Sequence, residues 1–302
     1  MKFLKGLVLS LLSFLLFLSL SISGFAVTLN NTILNPDFVV SELDKLDITS
    51  LARDLVSEQL TEQIPPEASF MVDVIDETIA DLDPWIREEL SNAIYSGYDY
   101  FLGKSQSLNL VISLEPVKEK LRDNAWEALL KSPPPELAML PQAMWEPLFD
   151  QLYEEFAGQI PSSFEFNESS LPPEVIATLE QVRQAISYSQ LSYKVLIGFM
   201  LLLILGITLI NRQVRGTTRE LGTIFLTYGA FQYAGIFVAK HFAGPQLAQL
   251  PIPPQLQAWL PQLVGDFLAP LEMFSLGLLI GGVVLLIVSF VYPRIRPSQP
   301  SV

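Results

Sequence analysis

Four stretches of the chain are apolar on every face, and a long polar middle with helical periodicity separates the first from the other three. The first runs from Gly6 to Ile22 behind Lys2 and Lys5, and ends in Ser23, Gly24, Phe25 and Ala26. A basic start, an apolar run and small residues are the pattern of a secretory signal. The run is also nearly long enough to span as a retained anchor, and apolar residues continue to Val27 and Leu29. The other three spans fall at about 194–211, 221–239 and 271–292.

In the middle, Asn35-Pro36 reads as an N-cap followed by proline at the first helical position, with Phe38, Val39, Leu43 and Leu46 at helix spacing. Further helices are expected over Ile48–Ile64 (stopped by Pro65-Pro66), about Glu67–Ala80, and from a cap at Asp83-Pro84. Others open at Glu115-Pro116 and cover Met144–Ala157. The period drops to two where Leu108, Leu110, Ile112 and Leu114 alternate with Asn109, Val111 and Ser113, and again at Phe164-Glu165-Phe166. A lone strand cannot satisfy its backbone, so Phe164–Asn167 is expected to pair with Leu108–Leu114.

From Leu171 to Arg215 a water-side helix turns into a span with no glycine or proline at the seam. Val175, Leu179, Val182, Ile186, Ser189 and Tyr193 follow the heptad rhythm of a packed face. A helix over Pro173–Asn211 is about 58 Å long, and only about 30 Å of that fits in hydrocarbon. Between the last two spans, Leu256, Trp259, Leu260, Leu263, Val264 and Phe267 share one face, which predicts an amphipathic interfacial helix over 253–268.

The expected fold is therefore mainly α, with four membrane spans, the first either retained or lost as a signal peptide. Residues 1–26 form the signal or anchor, and 27–192 a helical extracytoplasmic domain with a two-stranded β element and a stalk helix from 173. Residues 193–302 form a membrane domain, entered by one continuous helix. The bases orient it. Lys2, Lys5, Arg212, Arg215, Arg219, Arg294 and Arg296 fall on one side, and the outer loop carries only Lys240. The positive-inside bias predicts cytoplasmic termini at the plasma membrane and an outer middle.

Charge sharpens that division. The chain carries −14 overall, but Val27–Tyr193 holds 29 acidic and 9 basic residues, a balance of −20. Such a domain repels nucleic acid and anionic headgroups, so the expected partners are the lipid bilayer and a membrane or extracytoplasmic protein, not nucleic acid.

Candidate chemistry is thin. No cysteine is present, which removes disulfides, thiolate metal sites and cysteine nucleophiles. His241 is the single histidine, so HExxH-type zinc sites are excluded. Gly103-Lys104-Ser105 lacks the upstream glycine of a phosphate loop, Tyr98 standing there instead. Asp73, Asp76, Glu77, Asp81 and Asp83 are a candidate calcium cluster, since hard cations take several carboxylate oxygens, but a solvated acidic face predicts the same letters. Glu272 and Lys240 lie at similar depth and form a candidate structural ion pair. Gly277 with Gly281, and Ala230 with Ala234, have the small-xxx-small spacing of closely packed helices. No cofactor is implied.

The run Thr32–Val40 after the first apolar segment, the segment LNLVISLEPVKEKL from Leu108 to Leu121 and the closing cluster of spans resemble a broad set of uncharacterised bacterial integral membrane proteins. The resemblance implies a multi-pass protein with a large outer helical domain, and it carries no catalytic residue over. The expected function is non-enzymatic: a partner- or ligand-binding or envelope-support protein. A transporter or channel subunit is the alternative, and a membrane-embedded enzyme the third.

Overall fold

The computed structural model describes residues 2–60, 70–168, 171–247 and 252–295; the Pro65-Pro66 stop and Arg296 lie outside them. The chain divides into two compact units, one made of Met1–Val39 and Gln184–Val302, the other of Val40–Arg183. The sequence pattern put these boundaries at 26 and 192.

The first unit is helical. α1 covers Lys2–Asn31, α9 Pro173–Asn211 (beginning in the other unit), α10 Val214–Leu247 and α11 Pro254–Ile295. All four contain segments long and apolar enough to cross a membrane. This is a multi-pass membrane protein by that criterion. α10 and α11 are longer than their apolar runs: at 34 and 42 residues they extend about 51 and 63 Å, against about 30 Å of hydrocarbon. The interfacial helix expected at 253–268 is thus no separate element but the first turns of α11. Pro254 occupies the start, where a missing N–H costs nothing. The outer loop expected between the last two spans is helical as far as Leu247.

The bundle core is Leu16 and Leu20 of α1, Leu203 and Ile207 of α9, and Leu221, Ile224 and Tyr228 of α10. α10 and α11 approach through small residues. A Cβ on Gly222 would lie 3.0 Å from the Gly282 carbonyl oxygen, one on Gly229 2.7 Å from Leu279 N and Ser275 O, and one on Gly282 2.5 Å from Leu226 N. Ser275, Gly282 and Ser289 are buried on α11 at seven-residue spacing, opposite Gly222 and Gly229 at the same spacing. The Ser289 hydroxyl donates to the Arg215 carbonyl at 3.1 Å, one heptad before Gly222. This corrects the expected packing residues. Gly277 and Gly281 face open space, and Ala230 and Ala234 are exposed. The physical reason is period: an antiparallel pair crossing at a shallow angle repeats every seven residues, not every four.

The second unit holds α2 (Pro36–Asp44, beginning at the unit boundary), α3 (Ile48–Leu60), α4 (Phe70–Asp81), α5 (Asp83–Phe101), α6 (Glu115–Lys131), the short α7 (Pro135–Ala138), a 3-10 turn (Gln142–Met144) and α8 (Trp145–Ala157). Asn35 Oδ1 accepts from the Asp37 N–H at 3.1 Å, the capping its sequence foretold. Strands β1 (Asn109–Ser113) and β2 (Ser163–Asn167) pair antiparallel, with Leu110 opposite Phe166 and Ile112 opposite Phe164. The two period-two segments do find each other, 50 residues apart in sequence. α4 is stitched to α6 by buried Asn124, whose amide donates to Thr78 Oγ1 at 3.2 Å and Asp81 Oδ2 at 3.3 Å.

Asp83 does not cap α5. Leu82 occupies that position, and the Asp83 carboxylate accepts from Arg87 Nε at 2.9 Å and Thr49 Oγ1 at 2.5 Å. Arg87 also donates to the Asp44 and Leu46 carbonyls, gathering the end of α2. The Arg87 bond, then the Thr49 bond, hold the Asp83 carboxyl below its ordinary 3.8 against the opposing effect of burial. A depressed folded pKa gives stability that is fully present above the unfolded value and is lost as pH falls through the folded one. Thermal unfolding of the chain should therefore lose midpoint as pH falls below about 4, and Asp83→Asn should flatten that slope while lowering the midpoint at neutral pH. An unchanged slope in a series of melts from about pH 6 to about pH 2.5 would contradict the assignment.

Candidate functional site

The groups singled out in the sequence fare differently. Lys240 Nζ of α10 and Glu272 Oε2 of α11 form an ion pair, each side chain about one-third exposed. Ser275 Oγ donates to the Glu272 carbonyl at 2.9 Å, so the pair sits one turn above the small-residue seam. Its geometry clamps the two helices where they leave the seam. Neighbouring His241 is exposed and stacked on Phe237 of its own helix, ring centroids 6.4 Å apart, and meets the edge of Phe242.

The five acidic residues of the candidate calcium cluster do not converge. Asp81 is engaged by Asn124 and Asp83 by Arg87 and Thr49, and among the described residues no three metal-ligating side chains come together. Helix spacing puts Asp73, Asp76, Glu77 and Asp81 near one face of α4, and beyond the break between α4 and α5 Asp83 bonds Thr49 of α3 instead. Gly103-Lys104-Ser105 closes the end of α5. Gly103 takes φ of +75°, where glycine is favoured, and the Lys104 and Ser105 N–H groups return to the Asp99 carbonyl at 2.8 Å.

Glu220 directly follows Arg219 in sequence, which hides it among the basic residues expected on the cytoplasmic side. In the fold it accepts from Ser13 Oγ of α1 at 2.8 Å. Contacts of Gly222 with Gly282 and of Arg215 with Ser289 place Glu220 level with Val284. That is eight residues short of Tyr292, or roughly 12 Å at helical rise. Counting from Lys5 to Ser13 along α1 gives the same depth. The carboxyl therefore lies level with the apolar runs of α1 and α11, bonded to a serine hydroxyl. The signal that would have found it is the seven-residue seam, which extends the packed part of α10 back to Arg215.

Several hydroxyls in and just after α1 return to backbone carbonyls one turn earlier. Ser19 donates to the Leu15 carbonyl at 2.8 Å, Thr28 to Gly24 at 3.0 Å and Thr32 to Thr28 at 2.6 Å. Gly24 lies against Tyr228 and Leu271: a Cβ there would sit 2.8 Å from the tyrosine hydroxyl and 2.9 Å from the leucine methyl. Phe17 meets the Tyr228 ring edge-on at 5.4 Å. Ser23 Oγ contacts Met200 Sδ of α9 at 3.4 Å, and Gly206 of α9 lies against Leu12. Ser23 and Gly24, in the run that resembles a cleavage site, are thus packing positions in the bundle.

In the acidic unit, Arg183 covers Tyr100. Its guanidinium carbon stands 5.0 Å from the ring centroid and Nη2 donates to the Ser105 carbonyl at 3.0 Å. The face expected on this part of α9 is shifted accordingly: Val175 and Val182 are exposed, while Ile176, Leu179 and Arg183 turn inward. Arginine takes a seam position because its apolar stem covers the ring while its charged end finds a carbonyl.

No protein-family model matches the chain, and no curated protein or solved structure does either.

Proposed function

We propose that this protein holds an acidic helical unit on the outer face of the plasma membrane, where it engages a protein partner, and that it acts without catalysis. The amino-terminal helix is retained, both termini are cytoplasmic, and Val40–Arg183 lies outside. One observation carries this: the acidic unit holds 28 acidic and 9 basic residues, a balance of −19, while the membrane unit collects its arginines at the turn between α9 and α10 and at the end of α11. Retention of α1 is supported by its place in the core, where Leu16, Leu20, Ser23 and Gly24 meet α9, α10 and α11. Removal of α1 would strip the cover from Tyr228 and leave Glu220 without Ser13.

Transport is the second reading, and Glu220 favours it, since an ionisable group at membrane depth is costly and often functional. Against it stands the use of the other polar groups: hydroxyls returned to their own helices and backbone contact along the α10/α11 seam describe a fixed anchor.

The chain contains no cysteine, so a single introduced cysteine reports one place. Met139→Cys should react with a membrane-impermeant maleimide on intact cells, and Ser301→Cys only after lysis. The mature amino-terminal peptide should still contain Lys2 and Lys5. Photo-crosslinking from the acidic unit in cells should give a discrete heteromeric adduct. Labelling of the Met139→Cys variant only after lysis, or a mature chain beginning after Ala26, would overturn the topology; a chain that never crosslinks to another protein would overturn the partner function.

A further inference from the structure

We infer that the apolar face running from α7 across the 3-10 turn to α8 is the docking surface for a basic, amphipathic helical segment of a partner protein. This rests on the partner-binding function proposed above. α8 has an apolar stripe but no buried residue. One edge of the helix is pinned to α6: Phe149 packs between Trp126 and Tyr153, with centroids 5.2 and 5.9 Å away, and Asp150 pairs with Arg122 Nη2 at 2.6 Å. Tyr153 also donates its hydroxyl to the Lys118 carbonyl. The other edge is bare. Leu152 is 65% exposed and Phe156 47%, one helical turn apart on a shared face. Earlier in the chain, at the ends of the 3-10 turn and of α7, Met144 and Met139 are exposed too, at 50% and 86%. Methionines on a binding face adapt to irregular partners.

Charge selects the occupant. Between Lys131 and Arg183 the chain has nine acidic residues and no basic one. On α8 the exposed Glu155 and Glu146 fall on the two borders of the strip by helix spacing, while Asp150 is already taken by Arg122. A second copy would bring another unit of −19 against this rim, and an anionic bilayer surface would be repelled in the same way. A helix with leucine-like residues on one face and lysines or arginines along its borders meets both features at once. Its apolar residues cover Leu152, Phe156 and the methionines, and its charges meet the glutamates.

The test uses the full chain in zwitterionic nanodiscs with empty discs as the blank. The probe is a fluorescent peptide of about 18 residues, leucine and lysine arranged as an amphipathic helix. Anisotropy should show saturable binding that weakens as salt is raised. The double variant Leu152→Ser/Phe156→Ser should bind at least about tenfold more weakly with unchanged helical content, and Glu146→Gln/Glu155→Gln should flatten the salt dependence. Equal binding of a scrambled peptide of the same composition, or wild-type affinity in the serine double variant, overturns the assignment. So does efficient self-crosslinking of the Leu152→Cys variant, which would make a second copy the occupant. With a dye attached to the thiol of that variant, quenching by lipid-borne quenchers overturns it too, in favour of the bilayer. Impermeant labelling of the Leu152→Cys variant on intact cells separates the failures: a labelled thiol with no peptide binding condemns this surface while the outer location stands.

Discussion

Gly282→Val should destabilise the membrane unit by about 3 kcal/mol or more, whereas Gly277→Val, five residues earlier on the same helix, should change stability by less than about 0.5 kcal/mol. Both substitutions add the same three carbons to the same kind of helix, so propensity and lipid solvation cancel in the comparison. What differs is the wall each side chain meets. At Gly282 the first added carbon falls 2.5 Å from Leu226 N and 2.9 Å from Leu226 Cα and from the Gly222 carbonyl oxygen, all of them backbone atoms. Backbone cannot rotate away as a flexible side chain can, so the helices must separate or shift register. Either move also opens the Gly222 and Gly229 contacts and the Ser289–Arg215 hydrogen bond. At Gly277 nothing lies within 4 Å, and the valine faces lipid. Between membrane helices there is little hydrophobic gain, so close van der Waals packing of this kind is the main attraction, and losing it is felt in full. Thermal unfolding in nanodiscs, followed by protease cleavage of the α10/α11 connection, measures the difference. Equal effects of the two valines would mean that the seam does not run through Gly282.

That contrast also marks where the sequence was readable. Spans leave an unbroken apolar run, and the two-stranded element and the stalk helix a periodic trace over several residues, and both signals survive without knowledge of neighbours. The face of a membrane helix that meets its partner leaves a fainter trace, because lipid-facing and partner-facing positions are both apolar. GxxxG at Gly277 and Gly281 is the better-known spacing, yet the working repeat is Ser275, Gly282 and Ser289. It could be read only by asking for the same seven-residue interval in α10, where Gly222 and Gly229 supply it. Glu220 was missed for a related reason. Its neighbours in sequence are basic, and only the register of α10 on α11 shows how far inside the bundle it lies. Tyr100 leaves a weak trace because helix spacing on α5 aligns Ile86, Leu90, Ala93, Ile94, Gly97 and Phe101 in one apolar stripe, while the residue that is fully buried stands beside them. Arg183 carries no apolar signal at all. Its place under the seam follows from what it covers.

Tyr100→Ala should cost the acidic unit about 3–5 kcal/mol, the range for deleting a fully buried aromatic ring. The ring is 2% exposed and stands at the end of α5, where Gly103 turns the chain back. It is held from both sides. Phe101 meets it at 5.5 Å, and the Arg183 guanidinium lies over its face while bonding the Ser105 carbonyl of the same turn. Alanine would leave a cavity and also leave the charged group of Arg183 without its aromatic partner. Against a total stability of about 5–15 kcal/mol for a unit of this size, that loss is a large share. Tyr100→Phe keeps the ring and the stacking, so its cost should stay near or below about 1 kcal/mol. Arg183→Met keeps an apolar stem but removes the cation and the hydrogen bond, at about 1–2 kcal/mol. The double variant Tyr100→Ala/Arg183→Met should then cost less than the sum of the singles, because the stacking can be lost only once. Amide exchange on the full chain supplies the readout. Protection along α5 and on β1 should fall by the amounts given, since Ser96 Oγ donates to the Asn109 carbonyl at 3.4 Å and joins strand to helix. Strict additivity of the two substitutions would show that arginine and tyrosine stabilise the unit independently, and that the first turns of α9 are not held to it through this contact.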